Sequence, residues 1–181
     1  MYVFLQGERG IGKSTVISKT LEILANGQSI RLGGFYTWNG GRDDPNVYIK
    51  PAQCGETEAA TIVAKWNKAG ERMDSVAHAF EQEGVRLLSG LPGADLIIMD
   101  ELGYLESNAP GFKQAVLDVL NSNIPVFGVL RLGDVPWHVD IKSNPLVELY
   151  DVNEKNRDEL PRELAERLKL LIRNSRAAGS G

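Results

Sequence analysis

The stretch from Gly7 to Ser14 constrains the fold more than any other part of this sequence. It reads Gly-Glu-Arg-Gly-Ile-Gly-Lys-Ser and matches the pattern G-x-x-x-x-G-K-[ST] in full. An apolar run, Tyr2 to Leu5, precedes it, and apolar residues at helical spacing follow from Lys13 to about Ala25. A strand, a glycine-rich turn and a helix in this order predict a loop whose backbone N–H groups bind phosphate.

Each residue type in this phosphate loop has a separate chemical task. The glycines let backbone N–H groups converge on phosphate oxygens, the Lys13 ammonium reaches the β- and γ-phosphates, and the Ser14 hydroxyl coordinates Mg²⁺. Arg9 within the loop is either a contact to phosphate or base, or a solvated residue. The nucleotide-binding residues predicted here are Gly7, Glu8, Arg9, Gly10, Ile11, Gly12, Lys13, Ser14 and Thr15.

Two acids, Asp100 and Glu101, follow the apolar run Leu96 to Met99. Such a run is typical of a central parallel strand, and ligands gather at the carboxyl ends of these strands. We therefore expect Asp100 to hold Mg²⁺ together with Ser14, and Glu101 to orient or deprotonate an attacking water. The alternative for Glu101 is a solvated or salt-bridged surface acid. A second acid at this place favours hydrolysis over transfer to another acceptor.

Three further side chains are candidates from their places in the sequence. Arg131 follows the apolar run 125–130, so it is predicted to stabilise the γ-phosphate during catalysis, the alternative being a surface arginine. Glu106 either supports the site or is a surface acid. Trp137 is interpreted as a loop anchor rather than as a platform for stacking.

Asn156 and Arg157 lie just before the last helical pattern. An arginine plane can stack on a base and an asparagine can bind its edge, so both are predicted to contact the nucleotide. The alternative is that Asn156 and Asp158 cap the final helix.

Apolar runs alternate with helical patterns along the chain. We expect strands near 2–5, 29–37, 47–49, 95–100, 125–130 and 147–152. We expect helices near 13–25, 56–89, 112–120 and 160–172. This alternation predicts a three-layer α/β fold with a mostly parallel central sheet flanked by helices. One domain should cover residues 1–173, followed by a disordered tail over 174–181.

Composition narrows the classes of partner. The chain has 181 residues, a formal net charge of −4 and one cysteine. We therefore expect no general binding to nucleic acid, no internal disulfide and no membrane partner. The apolar opening is too short for a signal peptide. A monomer in the cytoplasm, with a nucleoside triphosphate and Mg²⁺ as its ligands, is the expectation.

With these motifs placed, the sequence resembles the THEP1-type nucleoside-triphosphatases. The resemblance rests on G-G-F-Y-T at 33–37, D-E-L-G-Y-L-E at 100–106 and N-R-D at 156–158, and it extends from Val3 to about Leu171. It implies a RecA-like P-loop NTPase domain. It also implies slow, Mg²⁺-dependent hydrolysis of ATP, GTP and other nucleoside triphosphates, with little selectivity for the base.

The middle of the chain departs from that family pattern. After Thr37 the family has a Gly-Phe strand, which residues 38–49 lack, and the stretch around Trp66 also differs. The segment from Trp38 to Trp66 is a candidate acceptor pocket, so a kinase that transfers the γ-phosphoryl to a small molecule remains an alternative. A nucleotide-dependent switch, in which slow hydrolysis resets a binding state, is a third hypothesis.

Overall fold

A computed structural model describes residues 1–26, 29–53, 60–91 and 93–178 of the chain. Within these residues the strands are β1 (Tyr2–Gln6), β2 (Leu32–Asn39), β3 (Val47–Pro51), β4 (Thr61–Asn67), β5 (Arg72–Ser75), β6 (Leu96–Leu102), β7 (Val126–Leu130) and β8 (Val147–Asp151). The helices are α1 (Lys13–Ala25), α2 (Ala77–Ala79), α3 (Val85–Ser89), α4 (Pro110–Leu120), α5 (His138–Lys142) and α6 (Leu160–Ala178). A π-helical turn, Phe80–Gly84, joins α2 to α3.

The strands of the described chain form one eight-stranded sheet in the order β5-β4-β3-β2-β6-β7-β1-β8. Five neighbouring strands are parallel to one another: β2, β6, β7, β1 and β8. The remaining three strands, β3, β4 and β5, extend one edge as an antiparallel meander. The predicted α/β fold with a mostly parallel central sheet is therefore confirmed.

Helices cover both faces of the sheet, because the central strands are apolar on both sides. On β1, Val3 and Leu5 pack in a core shared with α1 and α6, whereas Tyr2 and Phe4 pack in a second core shared with α4. The two cores lie on opposite faces of one sheet, and the three-layer arrangement follows from them.

Gly34 allows two central strands to approach closely. It lies on β2 with φ of +86°, beside Ile98 of the neighbouring strand β6. A methyl group at this position would overlap the Ile98 carbonyl oxygen. The approach aligns β2 with β6, so Tyr36 pairs with Asp100 towards the carboxyl ends of both strands.

The helix predicted over 56–89 is wrong for most of its described length. Residues 61–67 and 72–75 are strands β4 and β5, and helical structure begins only at Ala77. Residues 54–59 lie outside the described part of the chain. The β-branched run of Thr61, Ile62 and Val63 favours a strand, and β4 gains partners on both sides, in β3 and β5.

The disordered tail predicted from residue 174 is wrong as far as residue 178, since α6 continues to Ala178. Two distant contacts stabilise this extension. The Ser175 hydroxyl donates to the Asn123 carbonyl at 2.8 Å, and Arg176 Nε donates to Asp95 Oδ1 at 2.9 Å. Residues 179–181 lie outside the described chain. None of the described helices is both long and apolar enough to cross a membrane.

Candidate functional site

The phosphate loop connects β1 to α1, as the sequence predicts. Lys13 is only 8% exposed, and its ammonium donates to the carbonyl oxygens of Gly7 at 2.8 Å and Glu8 at 2.9 Å. Gly7 has φ of +150°, and a Cβ there would lie 2.5 Å from the Val152 carbonyl oxygen. The loop is thus held between its own lysine and the residue that follows β8.

A cavity of about 480 Å³ opens over this loop. Its walls include three residues from outside the loop, Glu101 near the end of β6 and Arg131 and Leu132 after β7. The loop residues in the walls are Gly7, Glu8, Arg9, Gly10, Gly12, Lys13, Ser14 and Thr15. The carboxyl ends of three parallel strands therefore bring the predicted catalytic side chains to one place.

Asp100 is buried at the end of β6, where the Ser14 hydroxyl donates to its carboxylate. Burial raises the pKa of Asp100 to about 6, and the neighbouring Glu101 charge adds to the rise. The Ser14 hydrogen bond and the Lys13 charge act in the opposite direction. A hydroxyl and a carboxylate that meet in this way are the hard oxygen ligands that fit Mg²⁺.

Glu101 lies between two side chains that determine its position. Its backbone N–H donates to Thr37 Oγ1 at 3.1 Å, and its carboxylate is 3.4 Å from Arg131 Nη1. The Arg131 guanidinium also lies over the Tyr104 ring, 4.6 Å from its centroid. Arg131 therefore packs against the acidic strand end and lines the phosphate cavity.

Glu106 is 3% exposed, so its interpretation as a surface acid is wrong. It accepts the Gly103 N–H at 2.8 Å, and burial raises its pKa to about 7. The indole N–H of Trp137 donates to the Gly103 carbonyl at 2.8 Å, which confirms Trp137 as a loop anchor. Side chains thus bind both the backbone N–H and the backbone carbonyl of Gly103.

Asn156 and Arg157 follow β8, which pairs with β1 on the side away from β7. Both ends of the Asn156 amide bind backbone groups, donating to the Asp151 carbonyl at 2.8 Å and accepting the Asn153 N–H at 2.9 Å. At the start of α6 the Asn156 backbone carbonyl, not its side chain, accepts the Leu160 N–H. Arg157 lies near the Ile11 carbonyl and lines a cavity of about 310 Å³ with the loop.

Comparison with known proteins places the chain in a family. A family model described as NTPase matches residues 2–165. A nucleoside-triphosphatase THEP1 from Natranaerobius thermophilus is 30% identical over 175 residues, which cover 92% of this chain and 96% of that protein. The THEP1 from Methanosarcina barkeri is 31% identical over 172 residues, with coverage of 92% and 97%. The chain belongs to the THEP1-type nucleoside-triphosphatase family.

Two solved THEP1-type structures share the fold. The crystal structure of THEP1 from Aquifex aeolicus gives a TM-score of 0.75 at 23% identity, covering 93% of this chain and 99% of that one. The solution structure of a human cancer-related nucleoside triphosphatase gives 0.73 at 22% identity, with coverage of 92% and 96%. The resemblance inferred from the motifs is therefore confirmed.

Sequence reasoning missed the site residues Thr37 and Tyr104, although both lie in THEP1-like motifs it used. Thr37 ends the G-G-F-Y-T segment and binds the backbone of Glu101. Tyr104 lies within the D-E-L-G-Y-L-E segment and packs under Arg131. Their contacts connect residues far apart in the chain, so a local pattern could have indicated only the segments.

Proposed function

We propose that this protein hydrolyses nucleoside triphosphates to the diphosphate and phosphate in a Mg²⁺-dependent reaction. ATP, GTP and other nucleoside triphosphates are its substrates, with little base selectivity and slow turnover. The observation that carries this proposal is the convergence of Glu101 and Arg131 on the cavity that Lys13 and Ser14 line. Binding groups and candidate catalytic groups thus share one space.

The residues present fit a magnesium ion. Ser14 and Asp100 would hold it, because hydroxyl and carboxylate oxygens are the ligands that Mg²⁺ prefers. When bound, Mg²⁺ neutralises charge on the β- and γ-phosphate oxygens.

The side chains divide the remaining chemistry between them. The Lys13 ammonium exchanges its two loop carbonyls for phosphate oxygens, which carry a full negative charge. Glu101 orients the attacking water and takes its proton, while Thr37 holds the Glu101 backbone. Arg131 stabilises the charge that develops on the γ-phosphoryl. The contact between Glu101 and Arg131 leaves the second carboxylate oxygen and further guanidinium N–H groups for water and phosphate.

The surroundings of Arg157 support weak base selectivity. The Asn156 amide is already bound to backbone groups at both ends, so it has little capacity to bind a base edge. Arg157 beside the loop offers a planar guanidinium, which can stack on any base. If Arg157 stacks on the base and no second side chain binds the base edge, purines and pyrimidines bind equally well.

Phosphate release from ATP, GTP, CTP and UTP, measured with Mg²⁺, tests the proposal. Replacing Glu101 with glutamine should lower turnover by about 10²-fold or more and leave nucleotide affinity near that of the wild type. Lys13→Ala should lose nucleotide binding, which controls for contaminating activity. Glu154→Gln changes an exposed acid outside the described cavities and should change neither quantity. Wild-type turnover in Glu101→Gln would remove Glu101 from the mechanism.

A further inference from the structure

A second cavity, of about 220 Å³, borders Arg9 and Ser14 of the phosphate loop and the acidic strand end, and it reaches β3 and β5 on the antiparallel edge of the sheet. At one end its lining is charged, with Asp100, Glu101 and Arg131. Its far end is apolar and aromatic, and the residues there include Trp38, Val47, Met73, Phe80 and Leu105. The two ends differ in chemistry, and the charged end lies where the γ-phosphate would be.

Hydrolysis does not account for this space. A water molecule occupies about 30 Å³ in the liquid, so the cavity would hold about seven waters. An attacking water needs one polar position beside Glu101, and it gains nothing from a wall of tryptophan, valine and methionine side chains. The far end therefore has a size and a polarity that fit a small organic molecule.

The wall of this cavity is built by rigid elements. Trp38 on β2 stacks on Tyr48 of β3, with ring centroids 5.4 Å apart and an interplanar angle of 21°. Gly103 also lines the cavity, and Glu106 and Trp137 bind its backbone N–H and its carbonyl, respectively. A wall that is fixed before binding spares a ligand the entropic cost of ordering it.

The volume limits the ligand to one substituted ring. An apolar cavity of about 150 Å³ is known to accommodate benzene, so a cavity of about 220 Å³ accommodates a ring with short substituents. Thr37 also lines the cavity, and its hydroxyl accepts the Glu101 N–H, so it can still donate to a ring nitrogen or oxygen. A heteroaromatic ring that carries a hydroxyl group on a short arm meets both requirements.

We propose that this cavity binds such a compound as a second substrate and that its primary hydroxyl accepts the γ-phosphoryl group. The hydroxyl oxygen forms a bond to the γ-phosphorus while the bond from the γ-phosphorus to the β,γ-bridging oxygen breaks. The nucleoside diphosphate leaves with that electron pair, and the hydroxyl proton passes to the Glu101 carboxylate. The proposal rests on the proposed function, because both reactions use the same phosphate loop and the same acid.

Transfer of radioactive label tests this second reaction. The protein is incubated with Mg²⁺ and ATP labelled at the γ-phosphate, together with pyridoxine, 3-hydroxymethylpyridine or 5-hydroxymethyluracil, three single-ring heteroaromatic compounds with a primary hydroxyl. Labelled organic phosphate should form from at least one of them, and its absence with all three would overturn the proposal. Labelled inorganic phosphate released without any probe reports hydrolysis alone, so the failure of each reaction is recognised from its own product.

Two tryptophans provide a matched pair of variants for the reactive probe. Trp38 on β2 and Trp66 on β4 are 38% and 39% exposed, but of the two only Trp38 lines the cavity. Trp38→Ala should lower the ratio of labelled organic phosphate to labelled inorganic phosphate about tenfold, as expected for one lost aromatic contact. Trp66→Ala should keep that ratio within about twofold of the wild type.

A filling variant covers the case in which Trp38→Ala does not fold. Met73→Trp places a larger side chain in the far end of the cavity and should lower the same product ratio. If both cavity variants retain the wild-type ratio, or if Trp66→Ala lowers it as much as Trp38→Ala does, the cavity is not the acceptor site.

Discussion

Replacing Glu106 with glutamine should make folding less sensitive to alkaline pH. Burial raises the pKa of Glu106 from an ordinary 4.5 to about 7, so the folded state retains this proton where the unfolded state has lost it. Ionisation of Glu106 therefore costs stability progressively as the pH rises from 4.5 through 7. Above that range the cost reaches about 3 kcal/mol.

The variant removes the titration but keeps the local contact, because an amide oxygen can still accept the Gly103 N–H. Between pH 5.5 and 8.5 the wild type should lose about 2 kcal/mol of unfolding free energy relative to Glu106→Gln. Any fixed cost of burying the new amide nitrogen is the same at both values and cancels. The Asp100 carboxyl is present in both proteins, so its titration cancels as well.

Urea unfolding followed by tryptophan fluorescence at the two pH values measures this difference. Glu154→Gln, which changes an exposed carboxyl, serves as the matched control and should track the wild type at both pH values. A stability difference between Glu106→Gln and the wild type that is the same at pH 5.5 and 8.5 would refute the reasoning, since it would mean that Glu106 does not titrate in this range.

Three further substitutions have defined outcomes. Arg131→Ala should slow phosphate release about 10³-fold while nucleotide binding changes little, and a wild-type rate would return Arg131 to a structural role. Asp95→Asn should cost about 1–2 kcal/mol at pH 7, and thermal unfolding should show the difference shrinking towards pH 2, because arginine contacts lower the Asp95 pKa to about 2. Gly34→Ala should cost about 3 kcal/mol in urea unfolding, since its methyl group overlaps the Ile98 carbonyl.

The centre of the fold could be predicted from the sequence because its determinants are local. Residues 2–5 of β1, 96–99 of β6 and 126–130 of β7 form continuous apolar runs, as expected for strands that are buried on both faces. The phosphate loop and the acids after Met99 are short motifs whose residue types reflect their chemistry. These segments also end at the same sheet edge, so their meeting followed from topology alone.

The antiparallel edge could not be predicted in the same way. Ile62 and Trp66 are four residues apart, a spacing that places them on one face of a helix and equally on one face of a strand. The structure forms a strand because Trp66 pairs with Met73 on β5, while Ile62 pairs with Tyr48 on β3. Pairing partners of this kind lie outside the window in which periodicity is measured.

The burial of individual charged residues could not be predicted from the sequence either. Glu106 is buried in a loop that Trp137 anchors from more than thirty positions away. Asp95 accepts a hydrogen bond from Arg176 near the end of α6, and the two residues are 81 positions apart in the sequence. Both cases depend on tertiary contacts, so the sequence indicated acids and arginines without indicating which of them meet.

The position of β1 within the sheet has a consequence for the synthesis of the protein. This strand is translated well before its two neighbours, β7 and β8, which begin at residues 126 and 147. At a translation rate of about 5–20 residues per second, Tyr2 to Leu5 wait on the order of ten seconds for a partner. During that time these four apolar residues lack their partner strands, and the nucleotide site cannot form before β7 and Arg131 have been synthesised.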